Sequence, residues 1–187
     1  FKEYHENISY YIPDRYAEGY GISFQSIDYA NENNVKLIIA LDCGIKAVNE
    51  VNYAKKKKID YIICDHHLPG QTIPNGIVLN PKQEECPYPF KELSGAGVGF
   101  KLLQAFCELN NIDAQKANKY LDLLAISIGA DMVPLVEENR VLAQYGIEKL
   151  NQEPTLGIKA IIKNAKIERY LNMRDIGFSI GPRINAA

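Results

Sequence analysis

Long hydrophobic runs are missing from this 187-residue sequence, and no secretory leader is expected. The longest apolar runs, such as that from Leu37 to Leu41, are far too short to cross a bilayer, so we expect no membrane span. No charged segment followed by an apolar one opens the sequence, which predicts no signal peptide. Internal repeats and low-complexity segments are absent too. What remains is an ordinary globular composition, with 47% hydrophobic and 24% charged residues.

Cysteine motifs are also missing. The sequence has four cysteines, and none of them is in a CxxC spacing that would indicate a zinc site. Two of them end apolar strands, as a small buried hydrophobic residue would. Buried, reduced thiols in a cytoplasmic protein are therefore the favoured interpretation, and a disulfide or a zinc site is the alternative. The four are Cys43, Cys64, Cys86 and Cys107.

An excess of positive charge, typical of proteins that coat duplex DNA, is absent. The formal net charge is −2. A nucleic-acid function would have to depend on a local groove, on a metal site or on further parts of a longer protein. The four lysines at 55–58 suggest DNA binding at first sight, but they close a predicted helix. Cations there complement the negative helix end, and this second interpretation is favoured.

Apolar runs and helical periodicity alternate in the first half of the sequence, which predicts a parallel sheet built from βαβ units. The second half predicts helices only. The fold class is therefore α/β, with a Rossmann-like parallel-sheet part over about 1–90 and a helical part over about 91–187. Strands are expected at 8–12, 35–41, 60–64 and 77–79, and helices at 24–33, 46–58, 97–109, 116–128, 139–150 and 155–164. The strand at 35–41 is expected to be buried on both faces, and Gly181-Pro182 to form a turn.

Acidic residues come directly after two consecutive predicted strands, Asp42 after the first and Asp65 after the second. In an open α/β sheet, ligands bind beyond the carboxyl ends of the strands, so both acids should lie at one edge, with His66 and His67 beside them. Carboxylates and imidazole suit Mn²⁺ or a similar divalent ion. The alternative is structural, because an Asp after a strand often caps the next helix. Two adjacent histidines point to different sides, so only one should face a given ion.

A third acid, Asp131, follows the very apolar segment from Leu121 to Ala130. A carboxylate buried at the end of such a segment would need a partner, because an isolated buried charge is costly. Asp131 therefore strengthens the hypothesis of a metal site without establishing it.

Three segments resemble the motifs of the DHH phosphoesterases. Asp65-His66-His67 after an apolar strand is similar to the family signature. Leu41 to Ile45 resembles the family's second motif, and Gly129 to Leu135 its fourth. Three motifs in order, each in the expected strand or helix context, are specific evidence where one tripeptide would not be.

Further segments narrow the resemblance to the RecJ-type exonucleases of that family. These segments are Tyr11 to Gly21, Leu93 to Lys101 and Ile180 to Ala186. The resemblance covers essentially the whole sequence, which would then be a DHH domain. The family's first motif, a strand ending in paired aspartates, would lie before Phe1. We accordingly expect the sequence to be part of a longer enzyme.

The resemblance implies a two-metal site with Mn²⁺ or Mg²⁺ in the complete enzyme. Asp42 would bridge the two ions, and His66 and Asp131 would bind one of them. At most one ion, weakly held, is expected on these 187 residues. Asp65 would orient an imidazole, and His67 would contact the phosphate as its bond breaks.

Four residues are candidates for binding the nucleic acid. Arg183 would grip a phosphate with its planar guanidinium, with a surface or interdomain salt bridge as the alternative. Asn185 is its companion. Gly95 and Gly97 could present backbone N–H groups to a phosphate at a helix start, although close helix packing explains these glycines equally well.

Three functions are compatible with the sequence. The favoured one is 5′-to-3′ degradation of single-stranded DNA in repair and recombination, with single-stranded DNA as the substrate and a helicase or single-strand-binding protein as possible cellular partners. The second is a DHH phosphodiesterase acting on short oligonucleotides or cyclic dinucleotides. The third is a non-catalytic DHH scaffold, against which the clustered acids and histidines argue, because such ligands are costly to keep without a use.

Overall fold

A computed structural model describes residues 1–186, and the chain divides into two compact units, Phe1–Pro87 and Tyr88–Ala187. The first unit contains a three-stranded parallel sheet of order β1-β2-β3. Its strands are β1 (Leu37–Leu41), β2 (Asp60–Cys64) and β3 (Ile77–Leu79). The predicted α/β class and the parallel sheet are confirmed.

Two helices accompany this sheet. They are α1 (Phe24–Glu32) and α2 (Val48–Lys56). The Ser23 hydroxyl caps α1 by accepting a hydrogen bond from the Ser26 N–H at 3.0 Å, as the sequence predicts. The core between helices and strands is mainly aliphatic, and its most buried members are Ile27, Val51, Ala54, Ile59 and Ile63. The link between β1 and β2 is thus a βαβ unit, whereas β2 and β3 are joined by loop.

The strand ends are brought together by hydrogen bonds that continue past the sheet. Leu41 pairs with Cys64 in the parallel register. Just beyond that pair, the Asp42 N–H donates to the Cys64 carbonyl at 2.8 Å, and the Asp65 N–H donates to the Leu79 carbonyl at 3.0 Å. The residues that follow β1 and β2 therefore lie at one edge of the sheet, which is where the sequence predicts a ligand site.

Two strand predictions in this unit are wrong in detail. Residues 8–12 form no strand, and Ile12 is 80% exposed, so this segment has neither a ladder partner nor a buried face. The strand at 35–41 is not buried on both faces, since Leu37 and Leu41 are 46% and 56% exposed. Within residues 1–186, β1 is paired on one side only, by β2. An apolar run alone cannot distinguish an edge strand from a central one.

The second unit is helical. It comprises α3 (Gly95–Leu109), a 3₁₀ helix (Ala114–Tyr120), α4 (Leu121–Ala130), α5 (Glu137–Gln152) and α6 (Leu156–Asn164). Helices α4 and α5 approach closely at Gly146, where an added Cβ would overlap the Leu121 carbonyl oxygen and come within 2.5 Å of the Ala125 Cβ. No helix among the described residues has both the length and the apolar character that crossing a membrane requires.

The predicted turn at Gly181-Pro182 is instead helical. A continuous helical run comprises α7 (Met173–Asp175), a π-helical segment (Ile176–Ile180) and α8 (Gly181–Asn185). Proline inside an α-helix removes one hydrogen bond and clashes with the carbonyl four residues earlier. The wider π turn, in which the Gly181 N–H donates to the Ile176 carbonyl, relieves that conflict just before Pro182.

Candidate metal centre

Asp42 lies in left-handed backbone directly after β1. Its φ is +62°, a conformation that Asp adopts more readily than most residues because its short polar side chain can bond locally. Its side chain is 48% exposed. Gly44 follows with φ +109°, and a Cβ there would come within 2.8 Å of the Ile22 side chain. The strand therefore ends in a tight turn that leaves the Asp42 carboxylate at the surface.

Asp65 is the buried centre of the same edge, with only 1% of its surface exposed. One carboxylate oxygen accepts a hydrogen bond from the Ile45 N–H at 2.8 Å, which ties the turn after β1 to the end of β2. The other accepts from the N–H groups of His66 and His67 at 2.7 and 3.2 Å. Burial raises the pKa of Asp65, but these bonds and the His67 ring together hold its pKa below the ordinary value. Asp65 is therefore an ionised acceptor.

The His67 ring is oriented by that carboxylate. Its Nδ1 lies 2.7 Å from the Asp65 Oδ1. Because an ionised carboxylate only accepts hydrogen bonds, the Nδ1 carries the proton and the Nε2 of a neutral ring carries the lone pair. The ring is 59% exposed, so this nitrogen can meet a ligand from solution. This contact is the physical basis for the proposed role of Asp65 in orienting the His67 imidazole.

His66 and Asp42 complete the cluster. The His66 Nε2 lies 3.3 Å from the Asp42 Oδ1, and the His66 side chain is 12% exposed. Asp42, His66 and His67 each offer one ligand atom, and these atoms all lie within 4.8 Å of one another. The two rings stand edge to face with centroids 4.6 Å apart, and the expectation that only one histidine would face a given ion stays a prediction.

This donor set fits a divalent transition metal. One carboxylate and two imidazoles are ligands of intermediate softness that suit Mn²⁺, Fe²⁺ or Zn²⁺. The buried Asp65 behind the His67 ring is the kind of outer carboxylate that fixes a metal-binding imidazole. A single ion with three such ligands would retain open positions for water or substrate oxygens.

Asp131 lies in the helical unit, at the C-terminal end of α4. The premise that it is buried is wrong, because the residue is exposed. The Ser127 hydroxyl donates a hydrogen bond to its carboxylate at 3.3 Å. The next residue, Met132, has left-handed backbone with φ +52°. The ligand role of Asp131 stays a prediction from the resemblance.

The candidate DNA-binding residues also lie in the helical unit. Arg183 is exposed on α8, and its guanidinium donates to the Ser179 carbonyl at 2.7 Å. Asn185, the last residue of α8, is exposed as well. Both are accessible to a phosphate, and their role stays a prediction.

Gly95 and Gly97 open α3 and are both buried. The Gly97 N–H donates to the Ser94 hydroxyl at 3.2 Å, so the helix cap already uses this donor. A Cβ at Gly97 would lie 3.4 Å from the Leu93 Cβ. These contacts favour close packing over phosphate binding for Gly97.

Two features of the site escape sequence reasoning. Ile45 contributes through its backbone N–H, and nothing in an isoleucine side chain signals that. His67 reaches the same space as His66 because both residues follow the end of β2 in a turn around the Asp65 carboxylate rather than alternating along a strand. The adjacent Asp-His-His sequence was the only available signal.

The geometry defines a class: an α/β protein with a carboxylate–imidazole cluster at the carboxyl edge of a parallel sheet. Residues 1–128 match the model of the DHH family, N-terminal domain. The chain belongs to the DHH family.

Several proteins with similar sequences are named as single-stranded-DNA-specific exonucleases. The chain is 42% identical over 181 residues to RecJ of Bacillus subtilis, covering 96% of this chain and 22% of that protein. It is 36% identical over 193 residues to RecJ of Escherichia coli, covering 97% and 33%. A crystal structure of exonuclease RecJ bound to manganese is similar with a TM-score of 0.84 and 32% identity, over 95% of this chain and 44% of that one. The chain therefore spans less than half of the proteins that it resembles.

Proposed function

We propose that this chain is the DHH domain, without the family's first motif, of a metal-dependent exonuclease that degrades single-stranded DNA from the 5′ end in repair and recombination. One observation carries the proposal: Asp42, His66 and His67 present ligand atoms within 4.8 Å of one another at the edge of the sheet. The similarity to RecJ proteins supports the substrate, because those relatives are named for single-stranded DNA.

The proposed metal is Mn²⁺ or Mg²⁺, with two ions in a complete site and at most one, weakly held, on this chain. Asp42, His66 and His67 would hold it, and Asp131 is a proposed further ligand on the resemblance alone. A bound ion of this kind activates water and stabilises charge on phosphoryl oxygens. Manganese is what the similar RecJ crystal structure is named for.

Asp65 and His67 have complementary proposed roles. The Asp65 carboxylate accepts the His67 Nδ1 proton at 2.7 Å and so keeps the Nε2 side directed outwards. That nitrogen can bind the ion or, in the protonated ring, donate to a phosphate oxygen as negative charge develops.

The remaining predicted residues would hold the strand itself. Arg183 would bind a phosphate through its guanidinium, with Asn185 beside it on α8, and Gly95 through its N–H at the start of α3. Gly97 is the weakest of the four candidates for phosphate binding, since its N–H already donates a hydrogen bond to the Ser94 hydroxyl. A cytoplasmic location is proposed on the four free thiols. A helicase or single-strand-binding protein is proposed as a partner on the resemblance alone.

Metal binding is the direct test. Mn²⁺ added to the 187-residue chain should bind with a stoichiometry of one or less, measured by the loss of the free-ion electron paramagnetic resonance signal. His66→Ala and Asp42→Asn should each weaken binding by at least about tenfold, as loss of a ligand should exceed the 10–100-fold typical of an outer-shell change. Asp113→Asn, in the helical unit, is the matched acidic control and should bind as the unaltered chain does. Equal binding by all four proteins would refute the site.

The reaction is tested separately. The chain alone should show no appreciable Mn²⁺-dependent nuclease activity. The longer protein, including the segment that the resemblance places before Phe1, should release nucleotides from 5′-ended single strands, and Asp42→Ala should abolish that release. A preference for dinucleotides would favour an enzyme of small substrates. Inactivity on both would favour the scaffold alternative. Robust hydrolysis by the chain alone, lost in Asp42→Ala, would contradict the predicted need for the first motif.

A further inference from the structure

A groove of about 330 Å³ opens on the surface of the helical unit. It lies between the end of α4, the loop that follows it, and the helical run from Met173. Its main side chains are those of Ile128, Met132, Leu135, Met173, Arg174 and Phe178. This volume is at the lower end of the range of about 300–1,000 Å³ for small-ligand pockets.

The groove is apolar and open to solvent. Met132 and Phe178 are 80% and 75% exposed, and Leu135 is 45% exposed. Contiguous exposed apolar side chains of this size are unusual on a soluble surface unless something covers them. The two methionines add an adaptable, polarisable lining that makes favourable contacts with aromatic rings.

Positive charge accompanies the aromatic ring. Arg174 lines the groove four residues before Phe178, which is one helical turn away. The neighbouring Asp175 is buried and engaged by the Arg169 guanidinium at 2.6 and 2.7 Å. The Arg174 guanidinium therefore lines the same groove as an exposed ring, and the acid next to it in sequence is held by Arg169.

An aromatic platform between cations is how proteins hold single-stranded nucleic acid. Bases stack on the ring, and cations meet the phosphates on either side. An apolar protein segment would use the apolar lining but would make no use of the Arg174 guanidinium at the groove. The combination of an exposed ring, a small groove and a guanidinium in its lining thus favours a nucleotide.

We propose that this groove binds one nucleobase of a single-stranded nucleic acid, stacked on Phe178 between the two methionines, with an adjoining phosphate on Arg174. The inference rests on the proposed function and adds a base-binding site to it. It uses residues of the helical unit only, none of which belongs to the Asp42–His66–His67 cluster.

The chain offers a specific probe, because its two methionines both line the groove. With ε-¹³C-methionine labelling, the methyl spectrum consists of Met132, Met173 and any start methionine, assigned with Met132→Leu and Met173→Leu. Hexathymidylate is titrated in EDTA, so that no metal-dependent cleavage occurs. We expect both groove signals to shift, with upfield ring-current changes. An abasic hexamer with the same number of phosphates should move them much less.

Phe178→Ala should weaken hexathymidylate binding about tenfold, within the range that loss of one base–aromatic stack produces, and should leave binding of the abasic strand unchanged. Because Phe178 is 75% exposed, this variant should fold normally. Phe178→Tyr is the conservative control and should bind as the unaltered chain does. Arg174→Gln should weaken both strands equally.

Several outcomes overturn the inference alone. Hexathymidylate that binds, by fluorescence anisotropy, without moving either methyl signal would place the bases elsewhere. Equal shifts of the methionine methyl signals with the abasic strand would show that the groove binds phosphate and not a base. Methyl shifts that depend only on protein concentration would assign the groove to a second copy of the chain. Failure of any single strand to bind at millimolar concentration would overturn the proposed function as well.

Discussion

The two units of this chain each place a candidate acid beside left-handed backbone, but they surround it differently. Asp42 itself has φ +62°, and Asp131 precedes Met132 with φ +52°. In the first unit, the backbone of residues 42–67 folds around the buried Asp65 carboxylate, which accepts hydrogen bonds from Ile45, His66 and His67. In the helical unit, Asp131 is exposed, and the nearby surface is an open apolar groove.

This difference separates two tasks of a site. A metal ion needs ligands held in one geometry before it arrives, and buried hydrogen bonds to Asp65 provide that rigidity. A nucleic-acid strand needs a surface that accepts any base, and in the proposed groove site the exposed Met and Phe side chains would provide that tolerance. We therefore expect substitutions in the first unit to act on stability and metal binding together. Those at the groove of the second should act mainly on strand binding.

The comparison is tested most severely by removing Asp65. Asp65→Ala leaves the N–H groups of Ile45, His66 and His67 and the His67 ring without their acceptor. Each unsatisfied buried donor costs about 1–3 kcal/mol, so we expect the free energy of unfolding to fall by about 4 kcal/mol. Urea denaturation followed by circular dichroism measures it. Mn²⁺ binding should be lost as well, because the His67 ring is no longer oriented.

Asp131→Ala is the matched control in the other unit. This carboxylate is exposed, so we expect a change in unfolding free energy of less than about 0.5 kcal/mol. Equal losses of unfolding free energy in Asp65→Ala and Asp131→Ala would contradict the proposed difference between a preorganised site and an exposed surface.

The helical unit has its own rigid contact, away from the groove. In Gly146→Ala, the new Cβ would overlap the Leu121 carbonyl oxygen, so α4 and α5 must separate. Overpacking of this kind costs about 1–3 kcal/mol, and contact with backbone puts this variant near 3 kcal/mol. Gly157→Ala, on α6 with nothing within 4 Å of the new Cβ, should instead stabilise by about 0.5 kcal/mol. Thermal unfolding of both variants is the measurement.

Much of the fold follows from local sequence signals. The strands predicted at 60–64 and 77–79 coincide with β2 and β3. Short runs of β-branched residues that are bounded by turn-forming residues favour a strand over a helix. The predicted helices coincide with α1 to α6 within a few residues, apart from 116–128, whose first part is 3₁₀. The π segment was missed since its hydrogen bonds depend on packing: Gly177 lies against the Gly129 carbonyl, where an added Cβ would be 3.2 Å from that oxygen.

The site was less predictable than the sheet. Strand ends alone indicated that Asp42 and Asp65 share an edge, because that follows from parallel topology. The sequence could not indicate that Asp65 is buried under four hydrogen bonds while Asp42 is half exposed, since both are an Asp after an apolar strand. The groove was not predicted either. Its lining comes from 128–135 and 173–178, and no local pattern links segments that far apart.

The ion pair that fixes the start of the last helical run gives a pH-dependent test. The Arg169 guanidinium holds the pKa of Asp175 below its usual value, against the opposing effect of burial. A lowered folded-state pKa contributes stability above the unfolded value of about 3.9, and this contribution is lost as the pH falls through the folded-state pKa. Asp175→Asn should therefore cost about 1.5 kcal/mol at pH 7 and progressively less below pH 4.

Asp28→Asn is the corresponding variant of the first unit. Asp28 pairs with Lys57 at 3.1 Å, and its side chain is 48% exposed. Water screens such a pair, so we expect a smaller loss of stability at pH 7 than in Asp175→Asn. Denaturant midpoints measured from pH 3 to pH 7 compare the two variants. An Asp175→Asn effect that stays constant with pH would mean that the charge of Asp175 contributes nothing.

The smallest expected effect on stability concerns the two residues with left-handed backbone, Asp42 and Met132. A left-handed conformation costs an ordinary L-residue about 1–2 kcal/mol, and glycine avoids this cost but loses part of the gain to its greater unfolded-state entropy. Met132→Gly should thus stabilise by about 0.5 kcal/mol, whereas the β-branched Met132→Val should destabilise by about 1 kcal/mol. Asp42→Asn should leave stability unchanged, because asparagine tolerates this backbone as aspartate does. It should nevertheless weaken Mn²⁺ binding. If Met132→Gly and Met132→Val unfold at the same denaturant concentration, the turn after α4 carries no backbone strain, and the two units share only the presence of a left-handed residue at or next to the acid.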